Sequence, residues 1–425
     1  MKRALLCLFI ATSVNAQTLD QRIDRVLPSL LTLYTSLHAS PELSMQEAKT
    51  SATVAQQLRD AGFTVTERVG KYEEANATGY GVVAVMKNGS GPVVLVRSDM
   101  DALPVTEQTG LPYSSKGPVM HACGHDVHMT TLIGTARMLT ELKSQWHGTV
   151  VLIGQPAEEV SKGAAAMLRD NLYTRFPKPQ FAIAIHDNSN MPAGQIGYTP
   201  GYFMANVDSV DVTIRGQGGH GAAPQATRDP IVAAAEFITA LQTLVSRENS
   251  PLDPVVVTVG SIHGGAKRNV IPDEVKLLLT IRTYKPEVRK RVLAGIERTA
   301  KGVALTAGIP EDRAPIVERI AGESGDATYN DPVLTERLAS ALQKGMGAQN
   351  VIKIEPLMVS EDFGLLGLNR EIPICMLNVG AVDPAKIASG ARLPSLHSSE
   401  FAPVPEPTIR GAIKAMTLAT MELLR

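Results

Sequence analysis

The stretch PVVLVRSDMDALP, residues 92–104, carries four apolar residues straight into Arg97, Ser98, Asp99 and, two places on, Asp101. A run this apolar reads as a strand buried on both faces that ends in a polar tip. Upstream, VVAVMKN (82–88) reads as its neighbour across the turn NGSG (88–91). Two further runs end in the same way: GTVVLIGQPAEEV (148–160) in Glu158 and Glu159, and FAIAIHDNSN (181–190) in His186. Between the first two lies VHMTTLIGTARMLTELKSQ (127–145), read as a long amphipathic helix opened by Asp126. Apolar strands with helices between them and chemistry at their carboxyl ends make an α/β pattern, here with a mixed central sheet.

The pattern changes near Asn206. DSVDVTIRGQGGHG (208–221) alternates like a half-exposed strand, and DPIVAAAEFITALQTLVSR (229–247) is helical. Two strands follow, in residues 253–265 and 273–284, then a helix in 286–308 and the closing run PIVERIAG (315–322). This block is expected to be a smaller α+β sandwich, residues 206–322, inserted into a larger domain made of 17–205 and 323–425. A chain of 425 residues suits two domains.

The first residues, MKRALLCLFIATSVNAQ, join Lys2 and Arg3 to an apolar core and a small-residue site at Val14, Asn15 and Ala16. That is a signal peptide over 1–16, too short to span a bilayer as a permanent helix. The expectation is a secreted protein, periplasmic in a Gram-negative cell, with no membrane segment after cleavage. Cys123 and Cys375 then remain; Cys375, inside the apolar run IPICMLNV, reads as a core thiol rather than half of a disulfide. The formal net charge of −1 excludes a basic field of the kind that nucleic acid requires.

MHACGHDVH, residues 120–128, holds three of the nine histidines and one of the three cysteines. Cys123 and His125 straddle Gly124, a spacing that lets two donors converge on one Zn-like ion. The pair Glu158 and Glu159 would alone be a solvated acidic loop, and His186 or His397 alone a structural histidine. Together Cys123, His125, Glu159, His186 and His397 are five donors, enough for two ions with open positions. Metal-assisted hydrolysis needs one carboxylate to ligate and another to move a proton, and Asp99 and Asp101 are placed to orient histidine ligands from behind.

SDMDALP, MHACGHDVH, PAEEV, GGHGAAP, NVIPDE, VSEDFG and LHSSEF, in this order, resemble the M20 metallopeptidases. The nearest likeness is to the branch of aminoacylases, hippurate hydrolases and auxin-conjugate hydrolases, and LHASPELS (37–44) is similar to that branch too. The resemblance covers nearly the whole chain after residue 16. It implies a zinc-exopeptidase-like catalytic domain with a lid that also dimerises, so a homodimer. It implies two divalent ions, Zn first, with Mn, Co or Ni as alternatives, held by the five donors with Cys123 as thiolate. Glu158 would serve as general base for water attacking the amide of an N-acyl amino acid or short peptide. His220 of the lid would stabilise the oxyanion, in its own subunit or its partner's, and Asn269 and Arg282 would grip the substrate carboxylate. Carboxypeptidase or dipeptidase activity and, in another class, an inactive binding scaffold are the alternatives. Lys267 and Arg268, in HGGAKRNVIP, depart from the smaller residues of many members.

Overall fold

The computed structural model describes residues 17–74 and 76–425, so the leader read over 1–16 lies outside the described residues. One sheet has eight strands in the order Thr64–Val69, Gly81–Asn88, Gly148–Gln155, Val93–Asp99, Phe181–Pro192, Ile374–Val382, Ile196–Tyr198 and Val351–Lys353. Gly148–Gln155, Val93–Asp99, Phe181–Pro192 and Ile374–Val382 run parallel, and antiparallel pairs towards both edges make the sheet mixed. Alternation sorts their side chains. Val94 and Val96 join Leu30, Leu132 and Ile413 in a core under the helices Leu19–His38, His125–Glu141 and Pro405–Leu423. Leu95 points the other way, towards Met167 and Phe363. Burial on both faces explains why these strands read as unbroken apolar runs.

The second sheet has four antiparallel strands, ordered Val255–His263, Glu274–Thr283, Asp208–Arg215 and Ile316–Arg319. Every second side chain of Glu274–Thr283 is buried. Val275, Leu277, Leu279 and Ile281 of that set pack with Phe237 and Ile296 of the helices Pro230–Ser246 and Pro286–Thr306 in a core of their own. Its entry and exit lie side by side: Val207 N–H donates to Gly325 O at 3.2 Å, and Gly325 N–H returns the bond at 2.9 Å.

Two local readings change, and two short strands were not read. The helix His125–Glu141 is buried nearly all round from His125 to Ala136, not amphipathic, because the sheet covers one side and two helices the other. The third polar-tipped strand does not stop at His186 but runs to Pro192, held by Ile374–Val382 through the pair Asn378 and His186. Its other neighbour, Val93–Asp99, stops pairing at Arg97 and Ala184, which leaves that flank of His186 open. The three-residue strands Ile196–Tyr198 and Val351–Lys353 are too short to show a period in sequence. Both cysteines among the described residues, Cys123 and Cys375, are free and buried.

Candidate active site

Gly124 decides how Cys123 and His125 are presented. It sits in the left-handed region, φ 77°, immediately before the helix His125–Glu141. A Cβ there would lie 2.0 Å from Asp187 Oδ2, so no other residue fits. The backbone turns, His125 begins the helix, and Cys123 faces His186 with Sγ 3.6 Å from Nε2.

Two backbone carbonyls set the histidines. His125 Nδ1 donates to Asp101 O at 2.7 Å, and His186 Nδ1 donates to Asp187 O at 2.8 Å. Both rings therefore turn Nε2 inward, that of His125 without a partner and that of His186 towards Cys123 Sγ, the orientation a metal ligand needs. His125 Nε2 lies 3.8 Å from Glu159 Oε1 and 4.0 Å from Glu158 Oε2. His397 Nε2 is 3.4 Å from Glu159 Oε2, on a loop pinned by its own N–H to Ala122 O at 2.8 Å. All five predicted donors are thus brought together at the carboxyl ends of the parallel strands.

The neighbours Glu158 and Glu159 separate. Glu159 shares a cluster with Cys123 and His125, whereas Glu158 shares one with Glu361 and Asp362. Asp101 holds the loop between them: its Oδ2 accepts from Ser44 Oγ at 2.6 Å and from Glu159 N–H at 3.0 Å. Asp99 differs from the sequence expectation. Its closest histidine is not a proposed ligand but His128, at 2.6 Å, which also reaches Asp187 at 3.2 Å; His125 Nε2 lies at 3.8 Å.

Sequence reasoning passed over His128, Asp187, Arg97, Glu361 and Asp362. Arg97 is fully buried and touches Asp99, Glu361, Asp362 and Gln155. All five lay inside quoted stretches, but their spacing alone could not say that they meet. His220, Asn269 and Arg282 stand apart. His220 is exposed on the two-stranded sheet of Gly219–His220 with Val270–Ile271, and Asn269 O accepts from Gly221 N–H at 2.8 Å beside it. Arg282 is half-buried in the four-stranded sheet, with Nη1 buried and unpartnered. Among the described residues no hydrogen bond or ion pair joins these three to the five donors.

The donor set fits divalent metal. His125 Nε2 and Glu159 Oε1 are buried and have no hydrogen-bond partner, which is costly unless a further group binds there. Burial, then Glu159, Glu158, Asp187 and Asp99, holds the Cys123 thiol well above its ordinary value. Burial and the nearby Glu361 and Glu159 do the same to Glu158. A cation reverses that balance and suits a mixed set of thiolate, imidazole and carboxylate.

Residues 95–397 match the model of peptidase family M20/M25/M40. The chain belongs to this family. It is 37% identical to the hippurate hydrolase of Campylobacter jejuni over 334 residues, 77% of this chain and 82% of that one. It is 34% identical to an IAA-amino acid hydrolase of Arabidopsis thaliana over 395 residues, 91% and 84% of the two chains. Among solved structures it is similar to a Bacillus subtilis protein described as a dinuclear metal-binding peptidase of family M20. That match has TM-score 0.76 and 28% identity and covers 94% of this chain and 99% of that one. The M20 chain is thus a hydrolase of amide bonds from the amidohydrolase branch, with a cluster able to bind metal.

Proposed function

We propose that this M20 hydrolase is an exported, two-metal amidohydrolase that splits N-acyl amino acids into an acid and a free amino acid. The observation that carries the reading is the pair of unpartnered buried atoms, His125 Nε2 and Glu159 Oε1, beside Cys123 with the Glu158 carboxyl next to them. Cys123, His125, Glu159, His186 and His397 would hold the ions, which when bound polarise the amide carbonyl and acidify water. Glu158, not needed as a donor, takes the proton from the attacking water and delivers it to the leaving amine. Asp101 fixes His125 through its carbonyl and Glu159 through its carboxylate. The relatives named for hippurate and for IAA–amino acid conjugates both take an acyl group on an amino acid nitrogen, which supports this substrate class.

In the same reading His220 reaches the developing oxyanion when the lid closes, and Asn269 and Arg282 take the substrate carboxylate. The lid also offers a surface for a second copy: Val255–His263 is an edge strand, and Ile231, Val232 and Ile262 are exposed near its end. Bare edge strands and apolar side chains favour pairing, so a homodimer through the lid follows.

The test is release of free amino acid from N-acyl amino acids and dipeptides after loading the purified protein with Zn, Mn or Co. Turnover of the acylated substrates supports the reading. Turnover of dipeptides alone moves it to a dipeptidase, and no turnover with any metal refutes it.

A further inference from the structure

The segment LHASPELSMQE, residues 37–47, contributes no donor and no proton carrier, yet it is built into the wall behind the two glutamates. Glu42 Oε2 accepts from Lys49 and Thr50 N–H, at 2.9 and 2.8 Å, and so anchors the segment to the helix Ala48–Asp60. Ala102 N–H donates to Glu42 O at 2.8 Å, and Ser44 Oγ donates to Asp101 Oδ2. Glu47 is the innermost member, with no exposed surface. It occupies the capping position of the helix Ala48–Asp60, but its side chain makes no capping bond there.

That carboxylate goes elsewhere. Glu47 Oε1 accepts from Met45 N–H at 2.9 Å and from Ala157 N–H at 2.8 Å, while Oε2 is buried without a partner. Both donors belong to residues in the left-handed region, Met45 at φ 65° and Ala157 at φ 51°. Neither is glycine, so each conformation is unfavourable by itself and needs surroundings that enforce it. Ala157 immediately precedes Glu158 and Glu159. Its backbone direction therefore sets where the adjacent carboxylates point, one towards Cys123 and His125 and the other towards Glu361 and Asp362.

We propose that Glu47 is a positioning residue whose single oxygen, Oε1, locks Ala157 in its left-handed turn and thereby aims Glu158 and Glu159 at their separate places. The carboxylate acts as a hydrogen-bond acceptor, not as a charge: only one of its oxygens is used. Glutamine has the same shape and the same acceptor oxygen, and so should replace it. Methionine fills the space and accepts nothing.

The catalytic half of the test rests on the amidohydrolase reading, and the other half does not. Hydrogen–deuterium exchange of the 155–161 segment is measured in Glu47→Met, Glu47→Gln and wild type, without added metal. The expected result is exchange at least about tenfold faster at Ala157 in Glu47→Met, with Glu47→Gln like wild type, because only the former frees the amide. In metal-loaded enzyme, Glu47→Met should lower kcat about 10²-fold with KM little changed, since a small misplacement of a catalytic group has that effect. Glu47→Gln should keep kcat within about threefold. Should Glu47→Met not fold, Glu47→Gln decides alone, as full retention of protection and kcat supports an acceptor role. Unchanged exchange at Ala157 in folded Glu47→Met, or equal loss in Glu47→Gln, overturns the proposal. Failure of wild type to hydrolyse any amide removes the reading above but leaves the exchange result to judge the clamp.

Discussion

Cys123 is the donor that faces two histidine environments at once: its Sγ is 3.6 Å from His186 Nε2 and in the same cluster as His125 and Glu159. In the proposed centre a thiolate there would be a metal ligand. Serine keeps the size but offers a harder and far less acidic donor. Cys123→Ser is therefore expected to weaken metal binding by at least about tenfold with little change in fold. Titration of the apoprotein with Zn, read by a competing chelator dye, checks this; unchanged affinity removes Cys123 from the site. At this scale the sequence was informative where donor types cluster, as in Cys123, Gly124 and His125. It was silent where a role depends on what lies behind. His128 sits in the same motif, but its two partners, Asp99 and Asp187, are 29 and 59 residues away in sequence. Glu47 likewise acts on Ala157, 110 positions on. No spacing rule reaches that far.

The elements bring these residues together, and two helices are joined by a buried charge cluster of their own. His38, at the end of Leu19–His38, meets Asp126 of His125–Glu141 at 2.6 Å and Glu107 at 3.2 Å, all out of solvent. Burial pulls the His38 imidazole down, but Asp126 and Glu107 outweigh it and lift it to about 9. The unfolded histidine titrates near 6.5. Its contribution to stability is therefore complete below about pH 6.5 and is lost as pH rises through about 9. The size is about 3 kcal/mol at most, from the pKa difference. Urea unfolding of the apoprotein should show stability falling between pH 6 and 9.5 in wild type. His38→Gln should show a shallower fall, the remainder belonging to His128, whose burial Asp99 and Asp187 likewise outweigh to lift it to about 9. Parallel pH profiles for the two would contradict the assignment. The elements themselves were legible wherever a period of two or a long apolar run survives burial, as in Val93–Asp99 and Glu274–Thr283. They were not legible where buried polar residues continue a strand. Asp187 and Asn188 look like a loop, yet both are inside Phe181–Pro192, where the backbone pairs with Ile374–Val382 and Asn188 Nδ2 donates to Asn378 Oδ1.

In the whole molecule the five donors lie on the eight-stranded domain, and His220, Asn269 and Arg282 on the four-stranded block. The connection between them is braced. Asp208, fully buried, is bound by Arg289 through both oxygens at 2.7 and 2.8 Å and by Arg319 at 2.5 Å, and Arg289 also reaches Asp326 in the returning segment. If the exposed His220 serves the neighbour's centre in a dimer, a Glu158→Gln chain and a His220→Ala chain, each inactive alone, should complement. Hybrids formed by mixing should recover up to about a quarter to a half of wild-type turnover, since general base and oxyanion donor are separate groups. Hybrids shown to form by mass spectrometry that remain inactive would place His220 in its own subunit's reaction. The strands of the four-stranded sheet were legible, because Asp208–Arg215 and Glu274–Thr283 alternate whereas the parallel strands do not. The reach of His220 was not, because nothing local to GGHG says which centre it faces.

The proposed division of labour between Glu158 and Glu159 joins all three scales. It rests on the left-handed turn at Ala157, on the strand end that carries it and, in the proposed reaction, on closure of the block that carries His220. The measurement that tests it most directly is metal content together with turnover of an N-acyl amino acid in Glu158→Gln and Glu159→Gln, purified alike and loaded with the same metal. Glu158→Gln should hold as much metal as wild type and lose about 10²- to 10⁴-fold in kcat, the usual worth of a positioned general base. Glu159→Gln should lose metal as well as activity. Near-normal turnover in Glu158→Gln at full metal content, or full metal content in Glu159→Gln, would contradict the account.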